Sequence, residues 1–103
     1  MTSDRPSVSP QQLALDGRLG LTEAAGLRQH LLALDRSRDL RVCTDAVSHL
    51  GALCLQVLVA AARHWRRAGR DFQLSPRSPA VAAALAQFAL PPDTFGPEAA
   101  PWH

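Results

Sequence analysis

The stretch that decides the fold runs from Leu40 to Gly69 and reads LRVCTDAVSHLGALCLQVLVAAARHWRRAG. Its first residues, 40–43, form a short apolar run that predicts a buried strand. Residues 44–49 are predicted to turn, and residues 50–68 repeat apolar side chains at helical spacing, which predicts a long helix. Gly69 lies where helices commonly end in a left-handed residue. The pattern predicts a strand that leads into a helix at the centre of the chain.

The segment before this stretch also predicts a strand followed by a helix. Residues 12–17 alternate polar and apolar side chains and end in Asp-Gly, which is typical of a strand and a turn. Thr22 is a suitable first residue for a helix, and residues 22–34 carry one apolar stripe at helical spacing.

The segment after it repeats the order. Residues 70–74 predict a short strand, residues 75–77 a turn, and Ser78-Pro79 the start of a last helix over 80–90, because Ser caps helices well and Pro suits the first helical position. Strands that alternate with helices indicate an α/β fold. We expect a mostly parallel mixed sheet of about three to five strands, with three or four helices.

One domain fits the length of 103 residues. Residues 12–90 hold all the predicted elements. Residues 1–11, with Pro and Ser, predict a flexible N-terminal arm, and residues 91–103, with four prolines, a C-terminal tail without a packing pattern of its own.

Composition argues against several function classes. The net charge is only +2, and all eleven basic residues are Arg, which we attribute to coding bias rather than to nucleic-acid binding. The longest apolar run, 52–62, is too short to cross a bilayer. The first residues do not resemble a signal peptide, and Cys43 and Cys54 are expected to be reduced, so we expect a cytoplasmic protein without membrane insertion.

Four local patterns carry a resemblance to a known family: LDGRL at 15–19, DAVSHLGALCLQVL at 45–58, GRDFQL at 69–74 and SPAV at 78–81. Their joint order over roughly residues 12–90 resembles the STAS domain, the fold of anti-sigma factor antagonists and of the cytosolic end of sulfate transporters. The resemblance implies a small STAS-type α/β fold.

The chain departs from the family where members switched by a kinase carry Asp-Ser-Ser-Gly-Leu. The aligned residues here are 51–55, Gly-Ala-Leu-Cys-Leu. Gly51 replaces the carboxylate, Ala52 and Leu53 have no hydroxyl, and Leu53 stands at the family phosphosite position. Phosphorylation there is chemically impossible. Ser48 is the nearest hydroxyl, and we expect it to cap the helix.

The resemblance implies a non-enzymatic signalling protein that binds a protein partner. The pattern looks most like the unphosphorylated STAS proteins encoded beside chemotaxis histidine kinases, which implies a kinase as partner. The alternative is a cytosolic STAS subunit that docks on the ATPase of a lipid ABC transporter. We expect a monomer or weak dimer. The predicted partner-binding surface comprises Asp45, Ser48, His49, Gly51, Ala52, Leu53 and Gln56.

Other reactive residues do not form a convincing site. The candidates for a thiol or metal site are Cys43, His49, Cys54 and His64. Cys43 and Cys54 lie eleven residues apart on different predicted elements, whereas metal sites need several ligands on one side. A thiol site of Cys54 with His49 and Asp45 is a weak alternative. We predict no catalytic residues, no metal and no cofactor.

A basic cluster comprises Arg63, Arg66, Arg67 and Arg70. Cations at a helix C-terminus are favoured by the helix dipole, and Trp65 is the only nearby aromatic residue. Nucleic-acid binding is therefore the third hypothesis, ahead only of an enzyme, and it predicts strongly salt-dependent DNA retention.

Overall fold

The elements follow the predicted order of strand and helix, repeated three times. The computed structural model describes residues 11–88, 90 and 94–95. The elements are β1 (Gln11–Leu19), α1 (Ala24–Leu32), β2 (Leu40–Leu50), α2 (Ala52–Arg67), β3 (Phe72–Arg77) and α3 (Pro79–Gln87), with one 3-10 turn (Leu21–Glu23) before α1. The predicted small STAS-type α/β fold is confirmed.

The predicted terminal segments lie almost wholly outside the described residues. Gln11, the last residue of the predicted arm, opens β1 and pairs with Leu40. Within the predicted tail, Phe95 is 4% exposed, and its ring lies 6.1 Å from that of Phe72. The hydrophobic core therefore includes a ring from the segment after α3.

The sheet has three strands in the order β1-β2-β3, and both pairings are parallel. β2 is the central strand, which explains why its buried face reads as apolar. Because parallel strands point the same way, the carboxyl ends of β1 and β2 meet at one edge of the sheet. Gln11 pairs with Leu40 at the start, and Leu19 pairs with Leu50 at that edge.

The predicted turn at 44–49 is wrong, because β2 continues through it to Leu50. Two irregularities explain the error. Between Cys43 and Ala46, β2 has two residues where β1 has one, and between Val47 and His49 it has one extra residue. Such β-bulges leave the extra residue outside the regular pairing. They break the alternation of side chains from which a strand is recognised.

The long predicted helix is confirmed in type, although it begins at Ala52. α2 packs beside α1 and buries one face, which comprises Cys54, Leu55, Leu58, Ala61, Ala62 and Trp65. The indole Nε1–H of Trp65 donates to the backbone oxygen of Arg38 at 2.9 Å, and its ring meets Phe72 edge to face at 6.0 Å. This helix therefore supplies much of the core.

The residue predicted to end α2 and the residue predicted to begin α3 both take these roles in the structure. Gly69 has φ +75° directly after α2, as predicted. The Oγ of Ser78 accepts a hydrogen bond from the backbone N–H of Val81 at 3.2 Å, which confirms the predicted N-cap. The predicted turn at 75–77 is wrong, since these residues complete β3. Val81 on α3 is buried, whereas Phe88, the residue that follows α3, is 39% exposed.

Candidate functional site

The carboxyl edge of the sheet brings β1, β2 and α2 together at Gly51. Its N–H donates to the backbone oxygen of Leu19 at 2.9 Å, and its carbonyl accepts the N–H of Leu55 as the first bond of α2. A Cβ at this position would lie 3.3 Å from the same Leu19 oxygen and 3.6 Å from Nε2 of His49. The close approach of the two strand ends therefore favours glycine here.

The connection after β1 is held from two sides. The carboxylate of Glu23 accepts the backbone N–H of Gly20 at 2.8 Å and the hydroxyl of Thr22 at 2.7 Å. These bonds, that of Thr22 first, hold the pKa of Glu23 below its usual 4.5. On the other side, the thiol of Cys54 donates to the backbone oxygen of Gly20 at 3.3 Å. The loop is thereby tied to the first turn of α2.

The thiol of Cys54 is buried, with 0% of its surface exposed. Burial raises the pKa of this thiol above its usual 9.0, and the negative charge of Glu23 raises it further. Cys54 therefore remains a protonated hydrogen-bond donor at neutral pH, a structural role that does not suit a nucleophile.

The first turn of α2 divides its side chains between core and solvent. Cys54 and Leu55 are buried, while Ala52 and Leu53 are exposed, Leu53 by 42%. Leu53 thus presents an apolar side chain to solvent at the position where the sequence resemblance predicts the family phosphosite.

The prediction that Ser48 caps this helix is wrong. Ser48 lies in β2, and the N-cap residue is Gly51. Glycine has no side chain, so Gly51 cannot satisfy the N–H groups of the first turn as a serine would. The first turn of α2 also contains no acidic residue. The partial positive charge of the helix dipole is therefore not offset locally by a side chain of that turn.

A shallow depression of ≈ 380 Å³ lies at this edge. We call it the carboxyl-end site. It is lined by His49, Gly51, Ala52, Leu53 and Gln56 from the predicted surface, together with Gly20 and Leu21.

Asp45 and Ser48 do not line this depression. Both are exposed on β2, within the stretches where the pairing with β1 shifts. They lie on the strand that leads to the site, and the structure does not bring them together with the other predicted residues.

Sequence reasoning missed Gly20 and Leu21. Leu21 is 77% exposed, more than the other exposed large apolar side chains Leu32, Leu53 and Phe88. The signal was present, because residues directly after parallel strands gather at one edge of a sheet. An apolar residue after the first strand was therefore a candidate for the same surface as Leu53.

The chemistry of the carboxyl-end site is that of a contact surface. His49 is the one titratable side chain among its lining residues. In the part of the chain that the structure describes, no three His, Cys, Asp or Glu residues lie close enough together to hold a metal ion. Over the same residues, no helix has the length and apolar character needed to span a membrane.

Fold and site together define a small parallel α/β domain that presents an open surface at the carboxyl edge of its sheet. A family model described as "Mlab, STAS domain" matches residues 3–91, and the chain therefore belongs to the STAS family. STAS domains are in general non-enzymatic regulatory domains that mediate protein–protein interactions. A comparison with curated proteins found no significant match.

Proposed function

We propose that this chain is a non-enzymatic regulatory module that binds a protein partner at the carboxyl-end site, without phosphorylation at position 53. The observation that carries the proposal is the pair of exposed leucines, Leu21 and Leu53, which line the depression at the start of α2. Apolar side chains of this size at a surface are typical of contact sites for other proteins.

Three properties of the site support a protein as the ligand. The depression is shallow and open, which suits a protruding side chain or loop better than an enclosed small molecule. The small residues Gly20, Gly51 and Ala52 allow a partner to approach the backbone closely. The uncapped start of α2 offers N–H donors to a carbonyl or carboxylate of the partner.

Because Leu53 has no hydroxyl, the proposed binding is constitutive and is not switched by phosphorylation at position 53. Family members with a serine or threonine at this position change their binding when a kinase adds a phosphate. Leu53 cannot accept one, so phosphorylation at this position does not control partner binding by this chain.

The partner that we propose first is a histidine kinase of the chemotaxis type. The alternative is the ATPase of a lipid ABC transporter, to which a cytosolic STAS subunit docks. Both partners present their soluble domains in the cytoplasm, where we propose that the chain acts as a monomer or weak dimer.

Ala52→Arg is the test of the proposed surface. Its long charged side chain fills the mouth of the depression, so we expect its affinity for the true partner to fall at least about tenfold, as for a disrupted central contact. The binding partners tested are the histidine kinase and the ABC ATPase encoded nearest to the gene, each titrated by calorimetry with wild type and variant.

The matched control is Ala83→Arg, which adds the same side chain at an exposed position of α3. We expect its affinity to equal that of the wild type. If Ala52→Arg binds both candidate partners as tightly as Ala83→Arg does, the carboxyl-end site is not the binding surface. A phosphate located by peptide mass spectrometry on a residue beside Leu53, after incubation with the kinase and ATP, would contradict constitutive binding.

A further inference from the structure

A second concave surface lies between α1 and α2. We call it the α1–α2 groove; it has a volume of ≈ 360 Å³. Its buried floor comprises Leu31, Ala61 and Trp65, and its sides comprise Leu32, Leu53 and Val57. Leu32 is 45% exposed and Leu53 is 42% exposed. Two leucines that leave this much apolar surface in water on facing helices indicate a site that is covered when the protein functions.

The rim of the groove is cationic. Arg28 and Arg36 are both exposed, and both line the groove. Nη1 of Arg36 lies 3.0 Å from Nε2 of His64, and because a guanidinium only donates, Nε2 accepts. This bond fixes the Arg36 guanidinium at the groove. No acidic side chain occurs among the described residues that line it.

The groove is continuous with the carboxyl-end site, since Leu53 and Gln56 line both. A partner that covers Leu53 at the carboxyl-end site therefore also lies beside the groove. Its position between two helices suits a helix as ligand, because an amphipathic helix can lay its apolar face into such a groove.

We propose that the α1–α2 groove binds an acidic amphipathic helix of the partner protein, with leucine-like side chains against Leu32, Leu53 and Val57 and carboxylates toward Arg28 and Arg36. The apolar floor supplies affinity, and the two arginines select acidic over basic helices. This inference rests on the proposed function and adds the chemical character of the partner segment that binds.

The test uses the full chain labelled with ¹⁵N and a synthetic capped peptide of about 16 residues, with leucines at helical spacing and glutamates on both flanks. A second peptide has lysine in place of every glutamate. We expect the glutamate peptide to bind at least about tenfold more tightly than the lysine peptide at low salt, with amide shifts concentrated at residues 28–36 and 53–64.

Charge reversal checks the role of the rim. In the double variant Arg28→Glu/Arg36→Glu the glutamate peptide is expected to bind at least about fivefold more weakly and the lysine peptide more tightly. Arg66→Glu/Arg67→Glu is the matched control, with the same change of net charge: both residues are exposed on α2 but do not line the groove, so its affinities should follow the wild type. The two-peptide comparison on the wild type needs no variant and stands even if the double variant does not fold.

Several outcomes would overturn the proposal. These are equal binding of the two peptides, no binding at millimolar peptide, and shifts confined to residues outside the groove. Shifts at the groove that grow with protein concentration alone would assign it to a second copy of the chain. Binding to phosphatidylserine vesicles without binding to the acidic peptide would assign it to a membrane surface. If Ala52→Arg weakens partner binding while the double arginine variant does not, the proposed function stands and only this inference fails.

Discussion

Removal of the side-chain cap of α3 tests which residues cap the first turns of the helices. Ser78→Ala deletes the one hydroxyl that accepts the N–H of Val81, at 3.2 Å. Ser78 is 5% exposed and Val81 is fully buried, so water cannot replace the lost acceptor at little cost. The corresponding change at Ser48, which the sequence suggested as the cap of α2, removes a hydroxyl from an exposed residue of β2.

The magnitude follows from the bond and its burial. Loss of a serine N-cap costs about 0.5–2 kcal/mol, and the distance of 3.2 Å is at the long end for an N–H···O bond, which argues for the lower half of that range. An unsatisfied buried N–H adds to the cost. We expect Ser78→Ala to lower the free energy of unfolding by about 1.5 kcal/mol, and Ser48→Ala to change it by less than about 0.5 kcal/mol.

Urea unfolding followed by circular dichroism at 222 nm measures both values. With an m-value of about 1–2 kcal/mol per molar for a domain of this size, the midpoint of Ser78→Ala should fall by roughly 1 M urea. Ser78→Thr, which keeps a hydroxyl acceptor, serves as the control and should recover part of the loss. If Ser48→Ala is as destabilising as Ser78→Ala, the start of α2 is capped by Ser48 and the assignment of Gly51 as its N-cap is wrong.

Two further predictions concern the loop beside the carboxyl-end site. Iodoacetamide should modify Cys43, which is partly exposed, well before Cys54, which is 0% exposed and whose pKa is raised by burial. Peptide mass spectrometry at successive times measures the order of modification. Equal rates for the two cysteines would contradict the prediction. Thr22→Val should raise the pKa of Glu23 toward its usual 4.5, as followed by ¹³C NMR titration, because the largest stabiliser of its charged form is lost. Since the folded-state pKa of Glu23 is depressed, its contribution to stability is present above about pH 4.5 and is lost as the pH falls through the lower folded value. An unchanged pKa of Glu23 in Thr22→Val would refute the Thr22 contact.

The sequence predicts the order of elements well because each has a local signal. Apolar residues at helical spacing define α2, Gly69 ends it, and Ser78 with Pro79 begins α3. These signals act within a few residues, so they can be read without knowledge of the tertiary structure.

The second half of β2 could not be predicted in the same way. The buried residues of this strand are Leu40, Val42 and Thr44, then Val47 and Leu50, so their spacing changes from two to three after Thr44. The change is imposed by the bulges opposite β1, which depend on a partner strand distant in sequence. A spacing of three resembles part of a helix or a turn, and this produced both the predicted turn and the misplaced cap.

The residues of the candidate site also differ in whether the sequence alone can predict them. His49, Gly51, Ala52, Leu53 and Gln56 are close in sequence and also meet in the structure. Gly20 and Leu21 join them only because β1 and β2 are parallel neighbours. The α1–α2 groove was not visible from the sequence, since its residues belong to two helices whose separation is set by packing.

The exposure of Leu53 has a consequence for which residues the fold tolerates at this position. A side chain that is 42% exposed contributes little to the core, so a serine at position 53 would leave the framework intact. The fold thus imposes no barrier to a hydroxyl side chain at this position. A change of residue 53 therefore alters the surface that the molecule offers to its surroundings, while the core stays the same.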